Sequence, residues 1–268
     1  MTVGDDHLLA SGLARQAGER LLALRARGGP PGALRDAGDR LSHEYLLTEL
    51  NQVRPDDAVL SEEGADDPAR LSARRVWIID PLDGTKEFGE PGREDWAVHV
   101  ALWQAGELAA GAVALPAQDR VLSTAWPARQ LRPAGREHLR LLVSRSRPPA
   151  LAGRLARQLD AVQVPMGSAG AKAAAVITGE ADAYVHAGGQ FEWDSAAPVA
   201  VARAAGLHAS RIDGSPLRYN QADPWVPDIL ICPIELSLRL LSAIRAVVAE
   251  ESGWAASASP LPSDVEPY

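Results

Sequence analysis

VWIIDPLDGT, residues 76–85, is the segment around which the rest of the chain can be interpreted. Its first four residues are apolar and predict a buried strand, and Asp80 and Asp83 follow at the carboxyl end of that strand. Pro81 fixes its own φ angle and has no amide donor, while Gly84 permits a tight turn. The two carboxylates can therefore converge on one point, with a backbone carbonyl between them.

Such a group of oxygen atoms is suited to a hard cation. Negative charges repel one another unless a cation lies between them, and Mg²⁺ prefers carboxylate, carbonyl and phosphate oxygens. Two further acids stand at element ends, because Glu62 follows a short apolar run and Asp194 opens an alanine-rich helix. A single acid at such a position is usually a helix cap or a solvated loop residue. The sequence around Asp80 and Asp83 therefore predicts a magnesium site, and the acids at 62 and 194 are further acids at element ends.

The first half of the chain combines two helices with a mainly antiparallel sheet. Apolar residues three and four apart predict a helix over residues 8–27 and a second over 40–53, with Asp39 near the start of the second. Short apolar runs then alternate with charged turns. They predict strands at 58–60, 76–79, 96–103, 108–115 and 121–124.

The second half has the alternating rhythm of an α/β lobe. Strands are predicted at 139–144, 162–166 and 181–186, with helices between them at 169–179 and after them at 194–205 and 235–250. We therefore expect an N-terminal α+β lobe with the metal-binding motif at 1–138 and a C-terminal α/β lobe at 139–252. The Pro- and Ser-rich residues 253–268 predict a flexible tail.

Composition restricts the class of function. The chain of 268 residues is 46% hydrophobic and 23% charged, which is typical of a globular protein. A formal net charge of −8 does not favour binding to a nucleic-acid polymer. Neither a leader segment nor an apolar run long enough to cross a bilayer is evident, so a cytoplasmic location and no membrane contact are expected. Only Lys86 and Lys172 among the 27 basic residues are lysines.

The motifs DPLDGT at 80–85 and WDSAA at 193–197, in this order, resemble those of the inositol monophosphatase superfamily. The resemblance extends from the first helix to about residue 235. It implies a layered αβαβα sandwich and a magnesium-dependent phosphatase with two or three Mg²⁺ ions per site. The metal ligands that it implies are Glu62, Asp80, the carbonyl of Leu82, Asp83 and Asp194.

The same resemblance implies catalytic roles. Gly84 and Thr85 would begin a helix whose free amides receive the phosphate. Asp39 would act with Thr85 to orient or deprotonate an attacking water. Glu62 would be a further catalytic residue. In-line attack of an activated water needs no covalent intermediate. Cys232 lies in an apolar run and is expected to be a small buried side chain.

Two further segments resemble the CysQ-like 3′(2′),5′-bisphosphate nucleotidases within this superfamily. They are Ser144-Arg145-Ser146 and the run from Gly167 to Lys172. A substrate with two phosphates needs cations away from the metals, and Arg145 and Lys172 can supply them. The substrate-binding residues expected on this basis are Asp83, Gly84, Thr85, Ser144, Arg145, Ser168, Lys172 and Asp194.

The resulting hypothesis is hydrolysis of 3′-phosphoadenosine 5′-phosphate to AMP and phosphate. Trp103, Trp126 or Trp225 could stack on the adenine, and the sequence does not choose among them. Alternatives within the superfamily are phosphatases of inositol 1-phosphate, histidinol phosphate or fructose 1,6-bisphosphate. An alternative of another class is a catalytically inactive metal- or nucleotide-binding regulator. A homodimer is possible for this family.

Overall fold

The structure is a computed structural model, and it describes residues 5–128 and 137–257. The N-terminal sheet has five strands in the order β1-β2-β3-β4-β5. Strand β1 runs parallel to β2, and the other neighbours are antiparallel. The elements of this half are α1 (Asp6–Arg27), α2 (Pro31–Val53), β1 (Ala58–Ser61), β2 (Arg75–Asp83), α3 (Thr85–Phe88), β3 (Ala97–Gln104), β4 (Glu107–Leu115) and β5 (Arg120–Ser123).

The C-terminal sheet also has five strands, in the order β7-β6-β8-β10-β9. Strands β7, β6 and β8 are parallel, whereas β10 is antiparallel to both β8 and β9. The elements of this half are β6 (Arg140–Ser144), α4 (Ala150–Leu159), β7 (Val162–Met166), α5 (Ala169–Ile177), β8 (Ala183–Phe191), α6 (Glu192–Ala204), β9 (Leu207–Ser210), β10 (Trp225–Pro233) and α7 (Ile234–Ser257).

The layers follow from the alternation of side chains along β2. Trp77 and Ile79 pack against α1 and α2 on one face, while Val76 and Ile78 pack against α5 and α6 on the other. Helices α4 and α7 cover the far face of the C-terminal sheet. Because β2 is buried on both faces, its sequence is continuously apolar over residues 76–79. The predicted αβαβα sandwich is confirmed.

Helix α2 differs from the sequence-based prediction. It begins at Pro31 rather than near residue 40, because proline is well suited to the first position of a helix. Asp39 therefore lies in the third turn of α2 and cannot cap its start. Helix α7 likewise continues to Ser257, beyond the predicted end at residue 250, and residues 258–268 of the predicted tail lie outside the described residues.

Helices α5 and α6 lie between the sheets and contact both of them. The lobe boundary at residue 138 stays a prediction. Within the described ranges, no helix is both long and apolar enough to cross a membrane.

Candidate active site

Three aspartates meet where β2 ends and α6 begins. Asp80, Asp83 and Asp194 each present a carboxylate oxygen, and these oxygens lie within 4.8 Å of one another. The antiparallel register of β2 with β3 is interrupted between Asp80 and Asp83, so both side chains turn toward α6. The structure thus brings together the acids of the two sequence motifs.

Without a cation, burial and mutual repulsion disfavour the ionised forms of these acids. Burial, followed by the charges of Glu62, Asp83 and Asp194, raises the pKa of Asp80 well above its usual range. Burial and then the charge of Asp83 raise the pKa of Asp194 to about 6. Since the ionised forms are unfavourable here, a bound cation would stabilise them.

Glu62 lies beside the three aspartates rather than within their tight group. Its backbone amide donates to the Ile79 carbonyl at 3.4 Å, which holds it next to β2. The side chain keeps an exposed surface, yet enough protein surrounds the carboxylate for burial, and then Asp194, to raise its pKa to about 7. It faces the same charges as the aspartates and can serve as a further ligand.

The donor set therefore fits Mg²⁺. It consists of the carboxylate oxygens of Asp80, Asp83 and Asp194. The Leu82 carbonyl, between the two acids of β2 in sequence, accepts a hydrogen bond from Thr85 Oγ1 at 3.0 Å. These are the hard oxygen ligands that Mg²⁺ prefers. The raised pKa values of Asp80 and Asp194 are the observation that favours a cation at this point.

Asp83 is an exception among the acids, because two neighbours hold it ionised. Burial alone would raise its pKa, but His99 and Lys172 lower it overall, helped by Ser168. His99 Nε2 lies 3.1 Å from Asp83 Oδ2, and its Nδ1 lies 3.1 Å from the Trp193 carbonyl. Nε2 has no well-aligned hydrogen bond among the described residues, so the contact is mainly electrostatic. The sequence analysis missed His99, since a histidine within a strand carries no motif.

Asp39 reaches the site from α2. Ser42 Oγ donates to the Pro81 carbonyl at 2.6 Å and fixes α2 against the end of β2. Thr85 Oγ1 then lies 3.3 Å from Asp39 Oδ1. Burial, followed by the charge of Glu63, raises the pKa of Asp39 to about 6. The structure therefore brings Asp39 to Thr85 from within α2.

The turn after β2 is shorter than a typical phosphate-binding helix. Gly84 has a φ angle of 84°, a left-handed conformation that favours glycine, and α3 has only four residues from Thr85 to Phe88. A helix of one turn offers fewer free amides than the expected phosphate-binding helix. Gly84, Thr85 and Lys86 line the cleft.

The start of α5 is joined to Asp83. Ser168 Oγ donates to Asp83 Oδ2 at 2.5 Å and accepts from the Ala171 amide at 2.9 Å, so it caps the helix. The Gly170 amide donates to the same Asp83 oxygen at 2.8 Å. Ser168 thus caps α5 and supports Asp83, while its contact with substrate stays a prediction.

Lys172 is buried beneath this turn. Its Nζ donates to the carbonyls of Ser168 at 2.7 Å and Gly167 at 3.2 Å, and more weakly to that of Met166. The charge therefore reaches the cleft mainly through its field, since the hydrogen-bonding capacity is used by the backbone.

Arg145 does not line the cleft, which corrects the expectation that it faces substrate. Its guanidinium forms paired hydrogen bonds of 2.9 Å with Glu90 and one with Glu87. Arg147, two residues later, is exposed and does line the cleft, and the described residues provide no ion-pair partner for it. A side chain two positions along the same loop is thus placed where Arg145 was expected.

A cleft of about 390 Å³ opens over these groups. Both lysines of the chain line it, as do residues that the motifs did not indicate. The lining includes Glu62, Asp83, Gly84, Thr85, Lys86, Ser144, Arg147, Ser168, Lys172, His186, Phe191, Asp194 and Trp225.

Comparison with known proteins gives matches along most of the chain. A model of the inositol monophosphatase family matches residues 26–249. A 3′-phosphoadenosine 5′-phosphate phosphatase from Mycobacterium leprae is 53% identical over 255 residues, which cover 90% of this chain and 94% of the relative. The 3′(2′),5′-bisphosphate nucleotidase CysQ from Escherichia coli K12 is 32% identical over 203 residues, or 71% of this chain and 81% of the relative.

A similar fold is found among solved structures. The crystal structure of CysQ from Bacteroides thetaiotaomicron matches with a TM-score of 0.71 and 26% identity. The match covers 85% of this chain and 97% of that chain.

Proposed function

The chain belongs to the inositol monophosphatase family, and from this premise we propose that it hydrolyses 3′-phosphoadenosine 5′-phosphate to AMP and phosphate in the presence of Mg²⁺. The relatives named as phosphatases of this nucleotide and as bisphosphate nucleotidases support the substrate. The observation on which the proposal mainly rests is the polarity of the cleft. Its lining combines the acids Glu62, Asp83 and Asp194 with the cations Lys86, Arg147 and Lys172.

A lining with both acids and cations suits a nucleotide with two phosphates. The phosphate to be removed would lie with the metal ions, while the second phosphate needs a positive group at a distance from them. Arg147 is exposed and free to form hydrogen bonds with it, and the buried Lys172 adds a positive field. Inositol 1-phosphate has no second phosphate that would use these charges.

The proposed metal ligands are Glu62, Asp80, the Leu82 carbonyl, Asp83 and Asp194, for two or three Mg²⁺ ions. When bound, such ions supply Lewis acidity and neutralise charge on phosphate oxygens. Asp83 is held ionised by His99 and oriented by Ser168 and the Gly170 amide, so its geometry is fixed before substrate binds.

Asp39 and Thr85 would position and deprotonate the attacking water. The Thr85 hydroxyl has one proton and two acceptors nearby, Asp39 Oδ1 and the Leu82 carbonyl. When it donates to Asp39, its own lone pairs can accept from a water in the cleft, and the proton can pass toward Asp39. A carboxylate with a raised pKa is a better proton acceptor, which suits this role.

A phosphate-release assay tests the proposal. The purified protein is assayed with 3′-phosphoadenosine 5′-phosphate, inositol 1-phosphate and fructose 1,6-bisphosphate, with Mg²⁺ and with EDTA. The proposal predicts the highest kcat/KM for the nucleotide and no turnover in EDTA. Equal or better turnover of either sugar phosphate would contradict it. Calorimetry that shows nucleotide binding with no phosphate release would instead support an inactive regulator.

The proposal also includes a cytoplasmic location and a homodimer. Cell fractionation and light scattering of the purified protein would test these two points.

A further inference from the structure

An aromatic pair stands at the rim of the cleft beside the acids. Phe191 ends β8 and Trp225 begins β10, and the two residues are paired across the strands. Their ring centroids lie 5.4 Å apart at an interplanar angle of 80°. The side chains are 39% and 46% exposed, although both are large and apolar. Exposed aromatic surface in a ligand cleft indicates contact with an apolar part of the ligand.

The position of the Trp225 ring is fixed from beneath by a glycine. Gly189 has a φ angle of 88°, and a Cβ atom added there would lie 1.6 Å from Trp225 Cζ2. The indole therefore rests directly on the Gly189 backbone. His186 Nε2, 2.9 Å from the Gly189 carbonyl, holds this turn in place. A side chain at position 189 would force the indole to move.

The aromatic pair is also joined to the acidic group. The Phe191 amide donates to Asp194 Oδ2 at 2.6 Å, and the Phe191 ring stacks on Trp193 with centroids 4.7 Å apart. A rigid path of a few residues thus links the proposed metal ligand to the exposed indole. A ligand whose phosphate lies at the acids would have its other end near Trp225.

We propose that Trp225, supported by Gly189 and Phe191, is the surface on which the heterocyclic base of the substrate stacks. This inference rests on the proposed nucleotide substrate and adds the residue that selects for its base. Of the three tryptophans that the sequence suggested, Trp225 lines the cleft, whereas Trp103 packs in the core between the layers and Trp126 follows β5. Stacking on an aromatic ring is worth about 1–3 kcal/mol per base, or roughly 5- to 150-fold in affinity.

The test compares substrates with and without a base. One is 3′-phosphoadenosine 5′-phosphate, and the other is the corresponding sugar bisphosphate that lacks adenine. For Trp225→Ala we expect the ratio of kcat/KM values, nucleotide over abasic sugar, to fall about 10-fold or more, mostly through KM. Trp225→Phe should recover part of the ratio, because it restores a ring.

Two glycines provide a matched pair. Gly189→Ala should lower the same ratio, since it displaces the indole, whereas Gly188→Ala should leave the ratio within about twofold. Gly188 has a φ angle of 126° and no atom within 4 Å of an added Cβ, so it imposes a similar backbone strain without touching Trp225. Melting temperatures of both variants check that they fold.

The outcomes separate this inference from the proposed function. If the wild-type protein does not prefer the nucleotide over inositol 1-phosphate, the proposed function is wrong. Calorimetry of AMP and ribose 5-phosphate binding then still tests the stacking surface, because Trp225→Ala should weaken only AMP binding. If Trp225→Ala reduces turnover of both substrates equally and leaves AMP binding unchanged, the residue has a structural role and the inference is wrong.

Discussion

Asp39 and Thr85 form the contact in which proton transfer is expected, and the environment of Asp39 gives it a testable pH dependence. Burial raises the pKa of Asp39 to about 6, so the carboxylate is a base only above that pH. Bound cations favour the ionised form of Asp39, so they can only lower its pKa. We expect kcat of the wild-type protein to fall as pH decreases through about 6 or slightly below.

Replacing Asp39 by Asn should lower kcat by about 10²- to 10⁴-fold and remove the acidic limb of the pH profile. Phosphate release from pH 5 to 8 measures both effects. Asp36→Asn is the control, since Asp36 is exposed on the same helix and contributes only a minor charge effect. A variant that loses activity but keeps the acidic limb would assign that limb to another group.

Arg147 and Lys172 are both cations of the cleft, yet the structure predicts different effects for their removal. Arg147→Ala should reduce kcat/KM for the nucleotide about 10-fold or more relative to inositol 1-phosphate, because a hydrogen bond to a charged group is worth about 1.5–3 kcal/mol. Lys172→Ala should reduce kcat/KM for both substrates to a similar extent, since the Lys172 Nζ supports the backbone at 166–168.

The melting temperature distinguishes these two roles. Lys172→Ala leaves the Gly167 carbonyl without its donor, whereas the Ser168 and Met166 carbonyls keep backbone amide donors. The loss, at about 1–3 kcal/mol, should lower the melting temperature by several degrees. Arg147→Ala should leave it nearly unchanged, because the side chain is exposed. A selective loss of nucleotide turnover in Lys172→Ala, with normal stability, would show that Lys172 contacts the second phosphate directly.

At the scale of elements, the capping of α5 connects stability to the site. Ser168→Ala removes the cap of α5 and one hydrogen bond to Asp83, so it should lower both the melting temperature and kcat/KM. Loss of a cap costs about 1 kcal/mol, which corresponds to about 2–4 °C in a chain of this size.

Thr178→Ala is the matched control at the other end of α5. Its hydroxyl donates to the Ala174 carbonyl at 2.9 Å, far from the cleft. Differential scanning fluorimetry and phosphate release should show a small stability change and normal activity. Equal activity in Ser168→Ala and the wild type would show that Asp83 needs no support from Ser168.

Residues 76–85 illustrate which elements can be predicted from sequence. A continuous apolar strand that ends in two acids needs only local information, because strand period and turn chemistry are local properties. The carboxylates of Asp80 and Asp83 do lie close together, although β2 continues through both residues instead of ending before them. The start of α2 was not predicted correctly, since the spacing of large apolar residues marks a buried face, and the first turns of α2 at 31–39 bury only Gly38, with Leu34 partly buried.

Side-chain partners depend on contacts between distant elements, and they could not be predicted. Arg145 was expected to face substrate, but Glu87 and Glu90, more than 50 residues earlier, pair with it. Likewise, the support of Trp225 by Gly189 depends on the register of β8 and β10. A sequence pattern gives the charge of a residue but not the neighbour that neutralises it.

For the whole molecule, the sandwich places the cleft where elements of both sheets end. Strand β2 supplies two acids from the N-terminal sheet, and α6, which lies between the sheets, supplies the third. The aromatic pair and Arg147 come from the C-terminal sheet and its loops. In the proposed site, most metal ligands would come from the N-terminal half of the chain, and the aromatic pair and Arg147 would come from the C-terminal half.

The cost of holding several acids together should appear in the stability of the whole molecule. The pKa of Glu62 is raised to about 7 and that of Asp194 to about 6, both above their values in an unfolded chain. The folded state therefore binds these protons more tightly than the unfolded chain does. The resulting contribution to the free energy of unfolding is present at low pH and is lost as pH rises through about 6–7. Without divalent ions, these acids should make the melting temperature decrease between pH 5.5 and 8.

Mg²⁺ should reverse this effect, because it binds the ionised carboxylates and competes with protons. We expect 5–10 mM MgCl₂, roughly a saturating range, to raise the melting temperature more at pH 8 than at pH 5.5, in buffers of matched ionic strength. His43, His186 and His208 have lowered pKa values and act in the opposite sense, so the comparison is made with Asp194→Asn. That variant keeps the histidines but should lose much of the pH-dependent magnesium shift. An equal shift in the two proteins at both pH values would mean that the acidic group does not bind the ion.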